Sequence, residues 1–276
     1  MELVKVEIEM NYLTRDIYRF SFQSKIALAL VSLFAFAGFT WPFFAPTQSV
    51  AHFAQYFFWA AVPAAAFLLI AQLSGSGLDA KSVALLGTLA ALIAALRPLG
   101  AGAVGIEPMW FLLILAARVF GSAFGFLLGF LGMLTSALLT GGLGPWLAYQ
   151  LFAAALVGLF AGAFFKKLRG RRELFFLVLL AIASSLIFGL LMDLQFWPWA
   201  LGADTQLSFQ AGAAITENFH RFITFHFLSS MAWDIPRAVL TSGLILITGP
   251  AVLSALRRTQ IKASFLTPVE FTERSK

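Results

Sequence analysis

The sequence predicts an all-α integral membrane protein with about eight transmembrane helices, and three observations support this prediction. Hydrophobic residues make up 60% of the 276 residues. Charged residues make up only 12%, about half the share of a typical soluble domain. The mean hydropathy is +0.87, and several charge-free stretches approach the roughly 20 apolar residues that a helix needs to cross a bilayer. In water, such a chain would expose large apolar patches and aggregate.

The first predicted spans form an N-terminal pair, Ile26–Phe44 and Phe53–Gln72, and neither contains a charged residue. A tail of mixed charge, residues 1–25, precedes them. We therefore expect residues 26–78 to form an extra transmembrane hairpin in front of the main membrane domain.

The main membrane domain, residues 79–256, is predicted to be a six-helix core. Its first span is Ser82–Arg97. Charge-free stretches predict three later spans, which are Trp146–Phe165, Leu174–Met192 and Ala238–Leu256. The remaining two crossings are expected between Pro108 and Thr140.

The distribution of basic residues predicts these two crossings. The segment Lys166–Arg172, KKLRGRR, carries five basic residues and predicts a cytoplasmic loop, because basic loops are retained on that side of the membrane. The N-terminal tail and the C-terminal tail, residues 257–276, are basic markers as well. All three lie on one side only if Pro108–Thr140 crosses twice, with a tight turn between Arg118 and Gly125. The sequence thus predicts eight spans in the cell membrane, with both termini cytoplasmic.

Three loops of the core then fall on the outer side of the membrane. They are residues 98–107, residues 141–145 and the long stretch 193–221, which is rich in aromatic and polar residues. A surface or re-entrant helix is expected over Asn218–Trp233, before the last span.

Charged residues at the outer ends of the spans are the first candidates for a functional site, because charges are costly in a membrane. Arg97 ends the first core span and Glu107 precedes the next, while Asp234 and Arg237 begin the last span. Asp234 and Arg237 are three residues apart, so they can pair on a helix. Two interpretations stay open, a capping salt bridge and the polar lining of an outward-facing cavity.

Aromatic residues cluster on the same side, and they are Trp110, Trp146, Tyr149, Trp197, Trp199 and Trp233. Membrane proteins commonly carry such residues as an interfacial belt. The alternative is a ligand pocket, in which flat side chains bind a flat ligand and a few polar groups orient it; Gln150 and Asp193 are the candidate polar groups. The nearby Gly and Pro turns, and the charged residues on the same side, favour the pocket.

Small residues recur at helical spacing in two places. Such faces let membrane helices pack closely. One stripe consists of Gly121, Gly125, Gly129 and Gly132, and it predicts packing within the chain. The other consists of two overlapping A-x-x-x-A pairs, Ala90 with Ala94 and Ala91 with Ala95. By pattern alone, packing within the chain is favoured there over docking of another membrane protein.

Motifs typical of enzymes are missing. The chain has no Cys, which excludes disulfides, thiolate metal sites and cysteine nucleophiles. It contains no H-E-x-x-H, no Walker A motif and no G-x-S-x-G elbow. We therefore expect neither catalysis nor a metal site. An enzyme acting on a lipid or isoprenoid, with Glu107, His220 or Asp234 as acid–base groups, remains an alternative, and a purely structural assembly subunit is another.

Three stretches of the core carry a family resemblance. They are GFLLGFLGMLTSALLTGGLGPWLAYQLFAAALVGLFAGAFF, FGLLMDLQFWPWAL and FHFLSSMAWDIPRAVL. Together with the alanine-rich helix that ends in ALRPLGAG, the chain from Ser82 to Leu256 resembles the substrate-binding S components of energy-coupling factor (ECF) transporters, of the actinobacterial type.

The resemblance implies a six-helix core that binds a micronutrient from outside. It also implies a transmembrane T component and two ATPases as partners; ATP is then used by those subunits, and no cofactor is expected in this chain. In the family, small-residue helix faces contact the T component, which assigns docking to Ala90, Ala91, Ala94 and Ala95. The GGLGPW pattern is similar to members assigned to cobalamin or related large micronutrients. The added N-terminal pair departs from the six-span pattern.

Overall fold

The computed structural model describes residues 16–44, 80–100, 104–144, 146–164, 166–201 and 205–262. Within these residues the chain forms eight α-helices and no strand. The helices are α1 (Phe22–Thr40), α2 (Ala80–Leu96), α3 (Met109–Phe120), α4 (Ser122–Thr140), α5 (Leu147–Ala163), α6 (Gly170–Ala200), α7 (Ile215–Ser229) and α8 (Met231–Lys262). Short 3-10 turns follow α1 over Trp41–Phe43 and α2 over Arg97–Gly100. The predicted span Phe53–Gln72 lies outside the described residues.

The described part of the chain confirms the all-α membrane class. Five of its helices, α1, α2, α4, α6 and α8, are long and apolar enough to cross a membrane, while α3 and α5 are apolar but shorter. The first helix of the predicted N-terminal pair is present as α1. The division of the chain at residue 79 stays a prediction.

Helix α3 lies at the centre of the bundle. All of its residues except Phe111 are buried. A helix that is apolar on every face has no face for solvent and packs against protein on all sides. The elements around α3 therefore determine where its two ends lie, and both ends carry charged groups.

Gly121 separates α3 from α4. Two crossings with a tight turn are predicted in this region. Gly121 has φ +104°, a value that residues with a side chain rarely adopt. A Cβ at this position would also overlap the carboxyl group of Asp16. The turn is a single residue long, and Arg118 lies beside it as expected.

Ion pairs gather at this end of the bundle. The Glu173 carboxylate at the start of α6 lies 2.9 Å from Arg118 Nε and 2.6 Å from Arg257 Nη2. Lys166 pairs with Asp16 at 2.6 Å, and Ile17 N donates to Phe120 O at 3.2 Å. We call this the basic end; its charged residues are Asp16, Arg118, Lys166, Arg169, Glu173 and Arg257. The N-terminal segment, the Gly121 turn, the 166–172 loop and the end of α8 thus share one end, as the charge argument requires.

Arg169 completes the basic end. Its Nη1 donates to the carbonyl oxygens of Lys166 and Leu168, both at 2.7 Å. Burial lowers the pKa of Arg169, and the neighbouring Arg257 lowers it further, while Glu173 raises it. A guanidinium has so high an ordinary pKa that it stays charged in proteins. The basic end therefore keeps more positive than negative charge.

Helices α4 and α5 pack closely through the predicted glycine stripe. A Cβ on Gly125 or Gly158 would overlap the carbonyl group of the other residue. Gly129 lies equally close to the Ala154 backbone, and Gly132 receives the side chain of Ile93 from α2. The packing interpretation of this stripe is therefore confirmed.

The opposite end of the bundle, which carries the tryptophans of the described residues, is called the aromatic end. Residues 193–221 are not one long loop, as predicted from sequence, because α6 continues to Ala200. Pro198 lies in its last turn, where a missing N–H costs one hydrogen bond and does not stop the helix. The predicted helix over Asn218–Trp233 is two elements, since α7 ends at Ser229 and α8 begins at Met231.

Because α4 and α5 pack closely at their glycines, one methyl group added at this contact should destabilise the protein. We expect Gly158→Ala to lower the free energy of unfolding by about 1–3 kcal/mol, the usual cost of overpacking. Gly243→Ala in α8 is the matched control, because a Cβ there meets nothing within 4 Å. The melting temperature of each variant in detergent is the measurement. Equal melting temperatures for the two variants would contradict the packing.

Candidate functional site

A polar network lies at the aromatic end, and Glu107 is its centre. Glu107 precedes α3, and its Oε2 accepts hydrogen bonds from Trp110 Nε1 at 2.9 Å and from Arg237 Nε at 3.1 Å. Its Oε1 lies 3.8 Å from Arg97 Nε. Arg97 Nη2 in turn donates to Gln150 Oε1 in α5 at 3.3 Å. The residues of this polar network are Arg97, Glu107, Trp110, Gln150, Ser230, Asp234 and Arg237.

The buried half of the polar network is built on the first turns of α8. Arg237 Nη1 donates to Asp234 Oδ1 at 2.7 Å, and Ser230 Oγ donates to Asp234 Oδ2 at 2.9 Å. Arg237 Nη1 also donates to the Ser185 carbonyl oxygen in α6 at 3.4 Å. A Cβ at position 189 of α6 would overlap the Asp234 carboxyl group. Glycine at this position is therefore what lets α6 and α8 approach around the ion pair.

Arg237 also contacts an aromatic face. Its Cζ lies 5.0 Å from the centroid of the Phe188 ring, within the range of a cation–π contact. The Phe188 ring is itself 4.6 Å from the Trp110 ring in an edge-to-face arrangement. The guanidinium is thus held by two carboxylates, one carbonyl and one ring.

The charged side chains of the polar network differ in their exposure to solvent. The Asp234 side chain is 0% exposed and Arg237 7%, whereas Arg97 is 18% and Glu107 23% exposed. Two carboxylates face two guanidinium groups, so the network is formally neutral. Its outer half, Arg97, Glu107 and Gln150, therefore offers partly accessible donors and acceptors on a rigid base.

A second polar group joins α6 to α7. His226 Nδ1 lies 2.8 Å from Asp193 Oδ2, and Ser229 Oγ donates to the same oxygen at 3.3 Å. The His226 ring stacks on Phe222 with the centroids 6.0 Å apart. This group ties the end of α7 to α6, just before α8 begins.

Aromatic side chains form a separate cluster beside these polar groups. Trp197 is fully buried, and its Nε1 donates to the Leu207 carbonyl oxygen at 2.7 Å. Its ring lies 5.6 Å from that of Phe209 and 5.4 Å from that of Phe222. We call Trp197, Phe209, Phe219 and Phe222 the aromatic cluster.

The structure brings together about half of the site residues predicted from sequence. Arg97, Glu107, Trp110, Gln150, Asp234 and Arg237 belong to the polar network. Asp193 belongs to the separate group with His226, and Tyr149 and Trp197 are buried in ring contacts. Trp146, Trp199 and Trp233 are 46%, 45% and 51% exposed. Exposure of this degree at the end of a bundle is compatible with an interfacial belt.

The A-x-x-x-A pairs of α2 face two directions. Ala90 and Ala94 are buried, on the face that carries Ile93 against Gly132 of α4. Ala91 and Ala95 are exposed, and Ala84 and Gly87 lie exposed on the same side. A partner can therefore reach the second pair, while the first is covered by the chain itself.

Several residues at the aromatic end were not predicted from sequence. They are Phe39, Trp41, Phe43, Ser185, Phe188, His226 and Ser230. Ser230 immediately precedes α8 and stands four residues before Asp234, so spacing alone contained a signal. The partners of Ser185 and Phe188 lie on other elements, and no local pattern reveals them.

The enzyme alternative required Glu107, His220 and Asp234 to converge. Glu107 and Asp234 meet through Arg237, but His220 is exposed on α7 and is not part of the polar network. No group of three or more His, Asp or Glu residues suited to a metal ion occurs in the described part of the chain. The three acid–base candidates therefore do not converge on one site in the described part of the chain.

Comparison with known proteins yields one family. The model of the family described as ECF-type riboflavin transporter, S component, matches residues 77–257. No curated protein and no solved structure matches the chain. The matched residues contain the polar network and the aromatic cluster but not α1.

The buried Asp234–Arg237 pair predicts a large loss of stability when one partner is removed. We expect Arg237→Gln to lower the free energy of unfolding by about 3–5 kcal/mol, because it leaves a buried carboxylate without its cation. Adding Asp234→Asn to this variant should recover part of the loss. Arg97→Gln, in a more exposed pair, should cost less than about 1 kcal/mol. Melting temperatures in detergent test this order, and an Arg237→Gln protein as stable as Arg97→Gln would contradict it.

Proposed function

The chain belongs to the family of ECF-type riboflavin transporter S components, and on that premise we propose that it is the substrate-binding subunit of an ECF-type importer. It captures a vitamin or related micronutrient at its aromatic end. A T component and two ATPases then complete the import. The observation that carries the proposal is the partly exposed polar network beside aromatic rings, within the residues that the family model matches.

The charge distribution supports one orientation in the membrane. The basic end carries the 166–172 loop together with Arg118 and Arg257, and basic residues are retained in the cytoplasm. The aromatic end then faces outward, in the position that a site for uptake requires. In this orientation both termini are cytoplasmic, in a multi-pass protein of the cell membrane.

The proposed ligand is a flavin-like micronutrient. The matched family is named for riboflavin, whereas the cobalamin-like specificity expected from the GGLGPW pattern is not confirmed. Riboflavin joins a flat aromatic ring system to a chain of hydroxyl groups. Aromatic side chains suit the ring, and the amide and charged groups of Gln150, Arg97 and Glu107 suit the hydroxyls. Burial of the ring would contribute about 25 cal/mol per Å² of apolar area.

In this proposal some residues of the polar network contact the ligand, and others hold those residues in position. Arg97, Glu107 and Gln150 contact the ligand, because they are its accessible members. Arg237 and Asp234 are positioning residues, since they hold Glu107 from the buried side. Preorganised groups of this kind bind with a smaller loss of conformational freedom.

The exposed small-residue face of α2 is the proposed contact with the T component. Ala91 and Ala95, with Ala84 and Gly87, allow close approach of another helix. Ala90 and Ala94 support the same contact only indirectly, by seating α2 on α4.

Direct binding tests the proposed ligand. Riboflavin added to the purified protein in detergent should lose fluorescence on stacking against aromatic side chains. We expect Gln150→Ala to weaken the affinity about tenfold, since loss of one good hydrogen bond costs about 1 kcal/mol or slightly more. Gln206→Ala is the matched control, because Gln206 is an exposed glutamine at the same end.

The same titration with cobalamin distinguishes the two vitamins. Binding of cobalamin but not of riboflavin would reject the flavin assignment. Binding of neither would argue against vitamin capture as the function.

Co-purification tests the docking face. We expect the double variant Ala91→Leu with Ala95→Leu to lose most of the ATPase subunits that the wild type retains from its own cells. Riboflavin binding should persist, because Ala91 and Ala95 are exposed and neither belongs to the polar network. Ala183→Leu on an exposed face of α6 is the matched control for added bulk. Undiminished recovery of the ATPases would exclude this face as the contact.

A further inference from the structure

The N-terminal helix α1 lies outside the residues that the family model matches, yet it ends among the rings of the aromatic end. Phe39 lies edge-on to Tyr149 of α5, with the centroids 5.0 Å apart. Trp41 lies 5.9 Å from the Trp199 ring and 5.4 Å from the Phe209 ring. The end of α1 and the turn after it thus contact α5 on one side, and the end of α6 with the residues after it on the other.

Phe43 enters the aromatic cluster itself. Its ring stacks on Trp197, with an interplanar angle of 30° and the centroids 6.1 Å apart. It also lies 6.0 Å from Phe219 and 5.8 Å from Phe222. With these contacts in place, Trp197 has no exposed surface. A residue from outside the matched core therefore covers the most buried tryptophan of the core.

The ring distances leave no space for a ligand in this conformation. A flat ring inserted between two others needs about 7 Å between their planes, twice the optimal carbon–carbon contact distance of about 3.5 Å. The centroids of Phe43 and Trp197 are already closer than that, at 6.1 Å. A flat molecule can stack on Trp197 only after Phe43 has moved away.

We propose that Trp41 and Phe43 occupy the place of the ligand's ring system on the aromatic cluster and must leave it before a ligand binds there. The inference rests on the proposed function, because it assumes that the aromatic end captures a flat micronutrient. An incoming ligand replaces the ring contacts of Phe43 with its own. A flat aromatic molecule restores those contacts and so offsets the cost of displacing Phe43, whereas a molecule without a flat aromatic face does not.

The opposite end of α1 is fixed. Only the 3-10 turn after α1 therefore has to move when a ligand replaces Phe43. At the basic end Lys166 binds Asp16, and Ile17 N donates to Phe120 O. Phe20 packs against Phe126 of α4 at 5.9 Å. The 3-10 turn contains Pro42, which has no N–H to donate, and it closes through the bond from Phe44 N to Trp41 O at 3.0 Å. Movement of this turn opens the cluster without detaching the helix.

Cysteine labelling measures the opening without any ligand. The chain has no Cys, so Ser208→Cys introduces a single thiol. Ser208 is 2% exposed, and it stands between Leu207, which binds Trp197, and Phe209, which contacts Trp41. In the Ser208→Cys background we expect Trp41→Ala with Phe43→Ala to speed labelling by a membrane-impermeant maleimide several-fold. Phe36→Ala is the matched control, because Phe36 is a 65% exposed residue of the same helix, and it should leave the rate unchanged.

Riboflavin affinity is the second measurement. If the closed arrangement outnumbers the open one about ten to one, removal of the two rings strengthens the apparent affinity about tenfold. The same gain should apply to every ligand that needs the cluster open, so the ratio of the riboflavin and cobalamin affinities should stay unchanged. Phe43→Leu keeps apolar volume but removes the stacking ring, and it takes the place of the double variant if that protein does not fold.

The outcomes separate the inference from the function on which it rests. Faster labelling with tighter riboflavin binding supports the exchange. Unchanged labelling overturns it, and so does weaker riboflavin binding, which would make the two rings ligand contacts. Faster labelling with no binding of either vitamin by any variant would support closure by α1 and reject vitamin capture.

Discussion

The guanidinium of Arg237 is the group on which the arrangement of the aromatic end depends. It donates to Glu107 before α3, to Asp234 on its own helix and to the Ser185 carbonyl of α6. A buried charge is tolerated only when its partners are in place, so α3, α6 and α8 must meet in the one arrangement that supplies them. The glycine opposite Asp234 in α6 removes the side chain that would prevent this approach.

The basic end also depends on one buried charge, but that charge is negative. There the buried group is the Glu173 carboxylate of α6, and its cations are Arg118 of α3 and Arg257 of α8. The same three helices are therefore tied together at both ends of the bundle. The central helix α3 cannot slide along its axis without breaking one of the two networks. These ties hold the polar network at the aromatic end in one geometry. The exposed small-residue face of α2 is not part of either network.

Much of the fold was predictable because it follows from composition and charge. The charge-free stretches predicted the membrane class, and the basic segment 166–172 predicted that Pro108–Thr140 crosses twice, with Arg118 at the turn. The site was less predictable. Six of the twelve proposed ligand residues meet in one network, but Trp146, Trp199 and Trp233 are half exposed, because an aromatic belt and an aromatic pocket have the same local sequence. The cobalamin-like assignment rested on one short motif, and the family match names another vitamin.

The sequence by itself determined which segments leave water, which end of the bundle is basic and which charged residues lie near the opposite end. These properties depend on the solvation of individual side chains, and the polarity and charge of each side chain follow directly from the sequence. Only the tertiary structure decided that Arg237 joins Glu107 to Asp234, that Ala90 faces inward while Ala91 faces outward, and that Phe43 covers Trp197. Each of these contacts joins residues that are distant in sequence, or depends on which face of a helix meets its neighbour. A resemblance confined to the core gave no place to α1, and only the tertiary structure shows that the turn after α1 packs against the aromatic cluster.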